Sequence, residues 1–360
     1  MQKFCNKDYQ ALRTIQGLQI SPDGRHALYT VQRMNVDRDA YENFLWLLDL
    51  ETGHETQLTG GGRENGAFWL DNGHVLFSAI RGGEVPANET VFYRIAVDGG
   101  EALEYMRVPI AGARASLLGE DRFLIRADTD LNPEGERDQE KWMFFDEYPY
   151  WGDGASYENR HRRALFLWDR IAGELRQLTT PTMQTFMPYC SDDVLADEDG
   201  LCFVGYDYTR DAAGKACICR YEWASRELRI LCQDSCYVFS IAQREGRIYY
   251  GAWAIEDGPA IASIRIKSVS LQGGDVRVDA APQWELGAVR QREGITLFQR
   301  TFQAASVMSR WDGGLRYEDI PTPGVNPTCP IPVGEDVIFT GWRCNRLPEI
   351  YRWRDGQVTQ

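Results

Sequence analysis

The residues best placed to do chemistry are two adjacent carboxylates, Asp146 and Glu147. They sit in the most aromatic stretch of the chain, Trp142-Met143-Phe144-Phe145-Asp146-Glu147-Tyr148-Pro149-Tyr150-Trp151. Such a patch has to be covered, by its own domain, by a partner domain or by a ligand. Neighbouring residues on an extended segment point to opposite sides, so only one of the two carboxylates can face a given ligand. Ser156, in Gly154-Ala155-Ser156-Tyr157-Glu158, comes nearest to a nucleophile elbow, but the second glycine is missing. His26, His54, His74 and His161 fall at turns or strand starts, with no Ser or Cys nucleophile pattern beside them. Nine cysteines are scattered along the chain. Cys217 and Cys219 are expected on one face of a strand, yet no compact zinc spacing appears and no metal site is expected. No phosphate loop or dinucleotide fingerprint is present, and Gly60-Gly61-Gly62 reads as a turn between units. The chain therefore predicts no cofactor and no catalytic residue of its own.

The elements that position these residues are set by a repeat. Gly17-Leu18-Gln19-Ile20 breaks at Ser21-Pro22-Asp23-Gly24 and resumes as His26–Val31, Phe44–Leu50 and His54–Thr59. Pro22 presets φ and Gly24 accepts a positive one, so the first break is a hairpin. The segments between breaks are short and rich in β-branched and aromatic residues, as strands are. Four strands joined by hairpins make a propeller blade, which cannot bury both faces alone. The pattern recurs at Phe68–Glu101, closes a third unit with Gly173-Glu174-Leu175-Arg176-Gln177-Leu178-Thr179, and returns more weakly four times. Units of roughly 50 residues fit a propeller period. The predicted fold is all-β, a seven-bladed β-propeller of four-stranded antiparallel blades over 17–360, after an N-terminal lead-in at 1–16. Each unit's opening strand is expected innermost. The chain begins on an inner strand and ends on an outer one, so no blade should be shared between the termini. Apolar packing between blades alone is then expected to hold the ring. An arm at 128–161 interrupts the third unit between its second and third strands.

Composition narrows the partners. A net charge of −14 disfavours nucleic acid, which needs clustered cations, and suits a solvated acidic surface. Hydrophobic residues at 43% suffice for a large core. No apolar run is long enough to span a bilayer, and Met1–Asp8 has no signal-peptide h-region. No membrane partner is expected, and a cytoplasmic protein with reduced thiols is.

Ser21-Pro22-Asp23-Gly24, the Gly-Glu turns, and the endings Gln57-Leu58-Thr59 and Gln177-Leu178-Thr179 resemble the N-terminal propeller of the prolyl oligopeptidase family. The opening Tyr9–Ile15, the arm segment Phe145–Trp151 and Pro348-Glu349-Ile350-Tyr351 are similar to its bacterial dipeptidyl aminopeptidase/acylaminoacyl peptidase group. The resemblance implies a serine peptidase whose α/β-hydrolase domain follows the propeller. That domain is expected after Gln360 and is absent here, so no triad residue carries over and the chain alone is expected to hydrolyse nothing. The implied role is gating and recognition of short peptides. Its partners are its own hydrolase domain, the peptide substrate and, for the full-length protein, further copies of itself. In related dipeptidyl peptidases, acidic residues projecting from the propeller hold the substrate's free amine. By that resemblance Glu147 is the first candidate for a substrate-binding residue, with Asp146, Tyr148 and Trp151 beside it. The bland alternative is that both carboxylates satisfy backbone donors or Arg160, Arg162 and Arg163 within the arm. A free-standing TolB-like propeller that scaffolds protein contacts is the competing function.

Overall fold

The structure, a computed structural model, describes residues 5–83, 85–131, 151–152, 156–157, 160–186, 191–208, 215–254, 264–280, 286–292, 294–312 and 317–360. It is a seven-bladed propeller of four-stranded antiparallel blades, with only short 3-10 turns, Asn6–Ala11 and Val36–Arg38, as helix among the described residues. Blade 1 comprises Thr14–Ile20, His26–Asn35, Ala40–Asp49 and Glu55–Gln57, each paired with the next. Its first hairpin forms as the sequence dictates. Gly24 takes φ 77, its N–H reaches the Ser21 carbonyl at 2.9 Å, and the Ser21 hydroxyl donates to Asp23 at 2.7 Å.

Blade 3 comprises Arg114–Gly119, Arg122–Asp130, His161–Asp169 and Glu174–Gln177. The second and third of these pair without a slip from Arg122↔Asp169 to Asp130↔His161. The arm therefore leaves from the end of an unbroken hairpin. Blades 4 and 5 are fused through one 17-residue strand, Leu228–Arg244. Its first half pairs with Ala216–Glu222 as the outer strand of blade 4, and its second half pairs with Arg247–Ala254 as the inner strand of blade 5. The register shifts near Ser235, where the two halves meet.

The core lies between blades. Leu28, Leu45 and Leu47 of blade 1 pack on Val75, Phe77 and Val91 of blade 2. Leu124 and Leu165 of blade 3 pack on Leu201, Phe203 and Cys219 of blade 4. Opening strands of neighbouring blades lie against one another, among them Leu286–Arg292 and Asn326–Val333. Both faces of each twisted sheet are thus buried, which a single blade cannot achieve.

Blade 7 consists of Asn326–Val333, Asp336–Trp342, Glu349–Arg354 and Gln357–Thr359, and takes no strand from the N-terminal end. The ring is not closed by a shared blade. Ile20, Ala27 and Leu50 of blade 1 meet Ile338 of blade 7 in an apolar cluster. Apolar packing alone does not hold this seam, contrary to expectation. Arg352 of blade 7 donates to the Leu50 carbonyl, and Arg292 of blade 6 donates to the Ser21 carbonyl at 2.9 Å. A carbonyl has two lone pairs, so the Ser21 oxygen accepts from Arg292 beside Gly24, and a long guanidinium reaches these strand ends where an apolar side chain cannot.

Candidate functional site

In an up-and-down blade, the links between blades and the loops joining second to third strands emerge on one face of the ring. The arm belongs to that face. At its root, between blades 3 and 4, lies a cavity of about 530 Å³ lined by Gly112, Arg114, Arg126, Ala127, Asp128, Arg163, Phe186 and Asp192.

Strand register builds this cavity. Arg126 stands directly opposite Arg114 on one side, and Asp128 stands opposite Arg163 on the other. Residues directly opposite project to the same face, so two guanidiniums are held side by side. Leu124, two residues before Arg126 and on the same face, is buried in the blade 3–blade 4 core, which places Arg126 at the upper rim of that core. Its guanidinium carbon lies 4.8 Å from the centre of the Phe186 ring, a cation–π contact. Its nearest carboxylate oxygen, on Asp192, is 3.6 Å away. Burial pushes the Arg126 pKa down, against the pull of Asp192 and Asp193. An arginine nonetheless keeps its charge at any physiological pH.

Phe186 has φ 55, a left-handed conformation that a bulky residue rarely adopts. Arg163 fixes it there, donating to the Phe186 carbonyl at 2.8 Å, while the Arg163 backbone N–H donates to the buried Gln184 side chain at 2.9 Å. Arg162 turns to the other side of the strand, donates to the Pro181 carbonyl at 2.9 Å and covers the Tyr208 ring. Asp193 faces away from the cavity's arginines toward Arg290 of blade 6, at 3.2 Å, and accepts from Ser191 at 2.8 Å. The described lining is therefore rich in arginine on an acidic protein, with the Phe186 ring against it.

Of the residues singled out in the sequence, Asp146, Glu147 and Tyr148 lie outside the described residues. Trp151 is in a two-residue strand, Trp151–Gly152, opposite Tyr157; Ser156 stands opposite Gly152 in the same small hairpin. The glycine run at 60–62 is a turn between blades, as read, and the Gly61 N–H donates to Glu64 at 3.1 Å. Glu64 is buried and paired with Arg81 at 3.0 Å. Cys217 and Cys219 do share a face, with their sulfurs 3.5 Å apart. The hydrogen bond to Cys217, together with burial, pushes the Cys219 thiol well up, so it stays protonated. No cluster of three or more His, Cys, Asp or Glu suited to a metal occurs among the described residues.

The Arg114–Arg126 pair was missed from sequence. The turn at Glu120-Asp121 pairs Arg122 with Gly119, which alone would set Arg126 opposite Ala115; a register shift just after Arg122 brings Arg114 there instead, and no residue pattern marks it. Each arginine alone is an ordinary surface residue.

No family model matches the chain. A curated relative, the uncharacterized peptidase YuxL of Bacillus subtilis (strain 168), is 27% identical over 184 residues, 48% of this chain and 27% of that protein. Among solved structures, an acylaminoacyl peptidase in complex with Z-Gly-Gly-Phe-chloromethyl ketone superposes with TM-score 0.72 at 16% identity, over 98% of this chain and 53% of that one. The β-propeller domain of the Trilobed protease from Pyrococcus furiosus, described as having an open velcro topology, superposes with TM-score 0.63 at 12% identity, over 97% of each chain. The chain thus spans about half the length of the acylaminoacyl peptidase and about a quarter of the curated relative. At these identities the structural likeness establishes the fold, and the resemblance read from the sequence finds its counterparts in a peptidase relative and in peptidase propellers.

Proposed function

We propose that this propeller is the non-catalytic gating and substrate-recognition module of a serine exopeptidase acting on short peptides, of dipeptidyl aminopeptidase or acylaminoacyl peptidase type. The observation that carries the reading is the extent of the likeness: nearly the whole chain matches about half of an acylaminoacyl peptidase. A hydrolase domain supplies the nucleophile, base and oxyanion donors in this reading, and the propeller face bearing the arm turns toward it. That face carries a charged, partly desolvated recess, where polar groups discriminate between ligands most strongly. Glu147 is the proposed partner of a substrate's free ammonium, with Asp146, Tyr148 and Trp151 shaping its surroundings. A cytoplasmic setting belongs to the proposal, supported by the free thiols of Cys5, Cys202, Cys217, Cys219, Cys232, Cys329 and Cys344. Among the described residues no helix is long and apolar enough to cross a membrane.

The test uses the protein with whatever sequence follows Gln360 in its gene. A strand followed by Gly-x-Ser-x-Gly, then Asp and His, is expected there. That protein should cleave aminoacyl or peptidyl chromogenic substrates and lose activity to a serine-directed inhibitor, whereas residues 1–360 alone should be inert. Glu147→Gln should weaken free-amine substrates by about 1.5–3 kcal/mol and leave acyl-blocked ones nearly unchanged. Equal loss for both substrate types removes Glu147 from recognition. A gene that stops at Gln360 removes the peptidase reading and leaves the scaffold.

A further inference from the structure

We propose that the recess at the root of the arm is a carboxylate-binding site, with Arg114 and Arg126 as its anion-holding residues, so that the module recognises peptides through a free carboxylate. The inference rests on the recognition-face reading above and narrows its substrate class.

Three independent features point to an anion. The first is register. Arg114 and Arg126 are directly opposite on neighbouring strands, an arrangement in which like charges repel. An anion held between the two groups would turn that repulsion into attraction, which neither the Phe186 ring nor Asp192 at 3.6 Å does for Arg114. The second is unmet hydrogen-bonding capacity. Among the described residues neither the Arg114 nor the Arg126 side chain makes a hydrogen bond, and the closest carboxylate to Arg126 is its ion-pair partner Asp192, at 3.6 Å. An arginine carries five N–H donors in a planar fork that matches a carboxylate's two oxygens. The third is the setting. Among the described lining residues three guanidiniums face two carboxylates, a local excess of positive charge on a chain of net charge −14. The Phe186 ring covers one side of the Arg126 guanidinium and keeps water from it, which strengthens its attraction for an anion.

The two carboxylates already present do not fill the role. The Asp192 side chain is 67% exposed and that of Asp128 is 72% exposed. Both are well solvated, so water screens their contacts with Arg126 and Arg163, at 3.6 and 3.7 Å, and a ligand carboxylate can displace them at little cost. Asp193, the remaining nearby acid, is committed to Arg290 and Ser191. The cavity, about 530 Å³, lies within the range that takes a small ligand, so a carboxylate can enter with the residue that bears it. A substrate's C-terminal carboxylate and an Asp or Glu side chain share this chemistry.

The experiment is a binding titration on the 360-residue chain, with no hydrolysis involved, so its result is independent of whether a hydrolase domain exists. Acetyl-Ala-Ala-Ala with a free C-terminus, its C-terminal amide, and acetyl-Ala-Glu-Ala-amide are titrated by calorimetry at 50 mM and 500 mM NaCl. At least one carboxylate-bearing peptide should bind tenfold or more tightly than the neutral amide, and should weaken several-fold at high salt. Preference for the first peptide assigns the site to chain termini, and preference for the glutamyl peptide assigns it to acidic side chains. Arg114→Gln and Arg126→Gln should each abolish the preference while the thermal midpoint stays within a few degrees. Arg126→Lys should restore the charge without the fork and recover only part of it. Equal binding of all three peptides by the unaltered chain overturns the proposal, as does a preference that survives both glutamine substitutions.

Discussion

Asp197→Asn is expected to destabilise the protein at neutral pH by an amount that shrinks in acid. Asp197 lies on the turn between the first two strands of blade 4. It accepts from both Arg220 Nη atoms, at 3.1 and 3.0 Å, from Gln243 of blade 5 at 2.9 Å and from the Gly200 N–H at 2.8 Å. Burial works to raise its pKa, but the hydrogen bonds from Arg220, Gln243 and Gly200, with the charge of Arg220, outweigh it and hold it at about 2 against an ordinary 3.8. A carboxyl whose folded pKa is depressed stabilises the fold fully above its unfolded pKa and loses that contribution as pH falls through the folded one. The drop corresponds to at most about 2.5 kcal/mol, and solvent screening of a carboxylate still 24% exposed reduces this to about 1–2 kcal/mol. The asparagine variant also leaves Arg220, 6% exposed, without a charged partner, raising the total at pH 7 toward about 3 kcal/mol. For a chain of 360 residues this is a fall of roughly 3–4 °C in midpoint, read by tryptophan fluorescence during heating. At pH 3 roughly half of the pH-linked part should be gone, so the two proteins draw together. A gap that stays constant from pH 7 to pH 3, or its absence at pH 7, refutes the assigned role of this carboxylate.

Other expectations follow from single contacts. Arg352→Met should cost about 1.5 kcal/mol, the worth of a hydrogen bond from a charged donor, by removing the tie to the Leu50 carbonyl. Amide exchange should then quicken at 48–53 and 349–354 while blade 4 is unaffected; uniform change along the chain counts against a local tie. Gly205→Ala places a Cβ 2.5 Å from Met183 Sδ and 3.2 Å from Cys219 Sγ. It should destabilise by about 1–3 kcal/mol through overpacking, as measured by urea unfolding, and Met183→Ala in the same chain should recover part of the loss. Desolvation, with the Glu55 contact second, pushes the Tyr29 hydroxyl well above its usual range. Ultraviolet titration to pH 11 should therefore find it un-ionised, and an early spectral step that vanishes in Tyr29→Phe contradicts this.

Much of the fold was legible because its punctuation is local. The Ser-Pro-Asp-Gly turn closes through contacts within six residues, from Ser21 to His26. The repeated Gln-Leu-Thr endings have a shared cause. Thr59 accepts from the Leu45 N–H at 3.0 Å and Thr179 from the Leu165 N–H at 3.3 Å, while Leu58 and Leu178 enter the cores between blades. Each motif therefore marks where an outer strand is pinned to its neighbour. The fusion of blades 4 and 5 was not legible, since Cys232-Gln233-Asp234-Ser235 contains no Gly or Pro to mark or deny a break. Nor were Arg292 on Ser21, 271 positions apart, and the recess itself, which exists only once register sets Arg114 beside Arg126. Contacts whose partners are far apart in sequence, or whose meaning depends on alignment across a sheet, leave no mark in composition or periodicity.

The strand Leu228–Arg244 also has a mechanical consequence. The ring is a split washer: covalent links join each blade to the next except at the slit between blades 7 and 1. On the side of the ring away from that slit, one strand serves two sheets, so blades 4 and 5 share a backbone ladder rather than a loop. A load that spreads the bore is then relieved at the slit. Blade 3 adjoins blade 4, so the recess at its edge lies away from the slit, where only non-covalent contacts join blades 7 and 1.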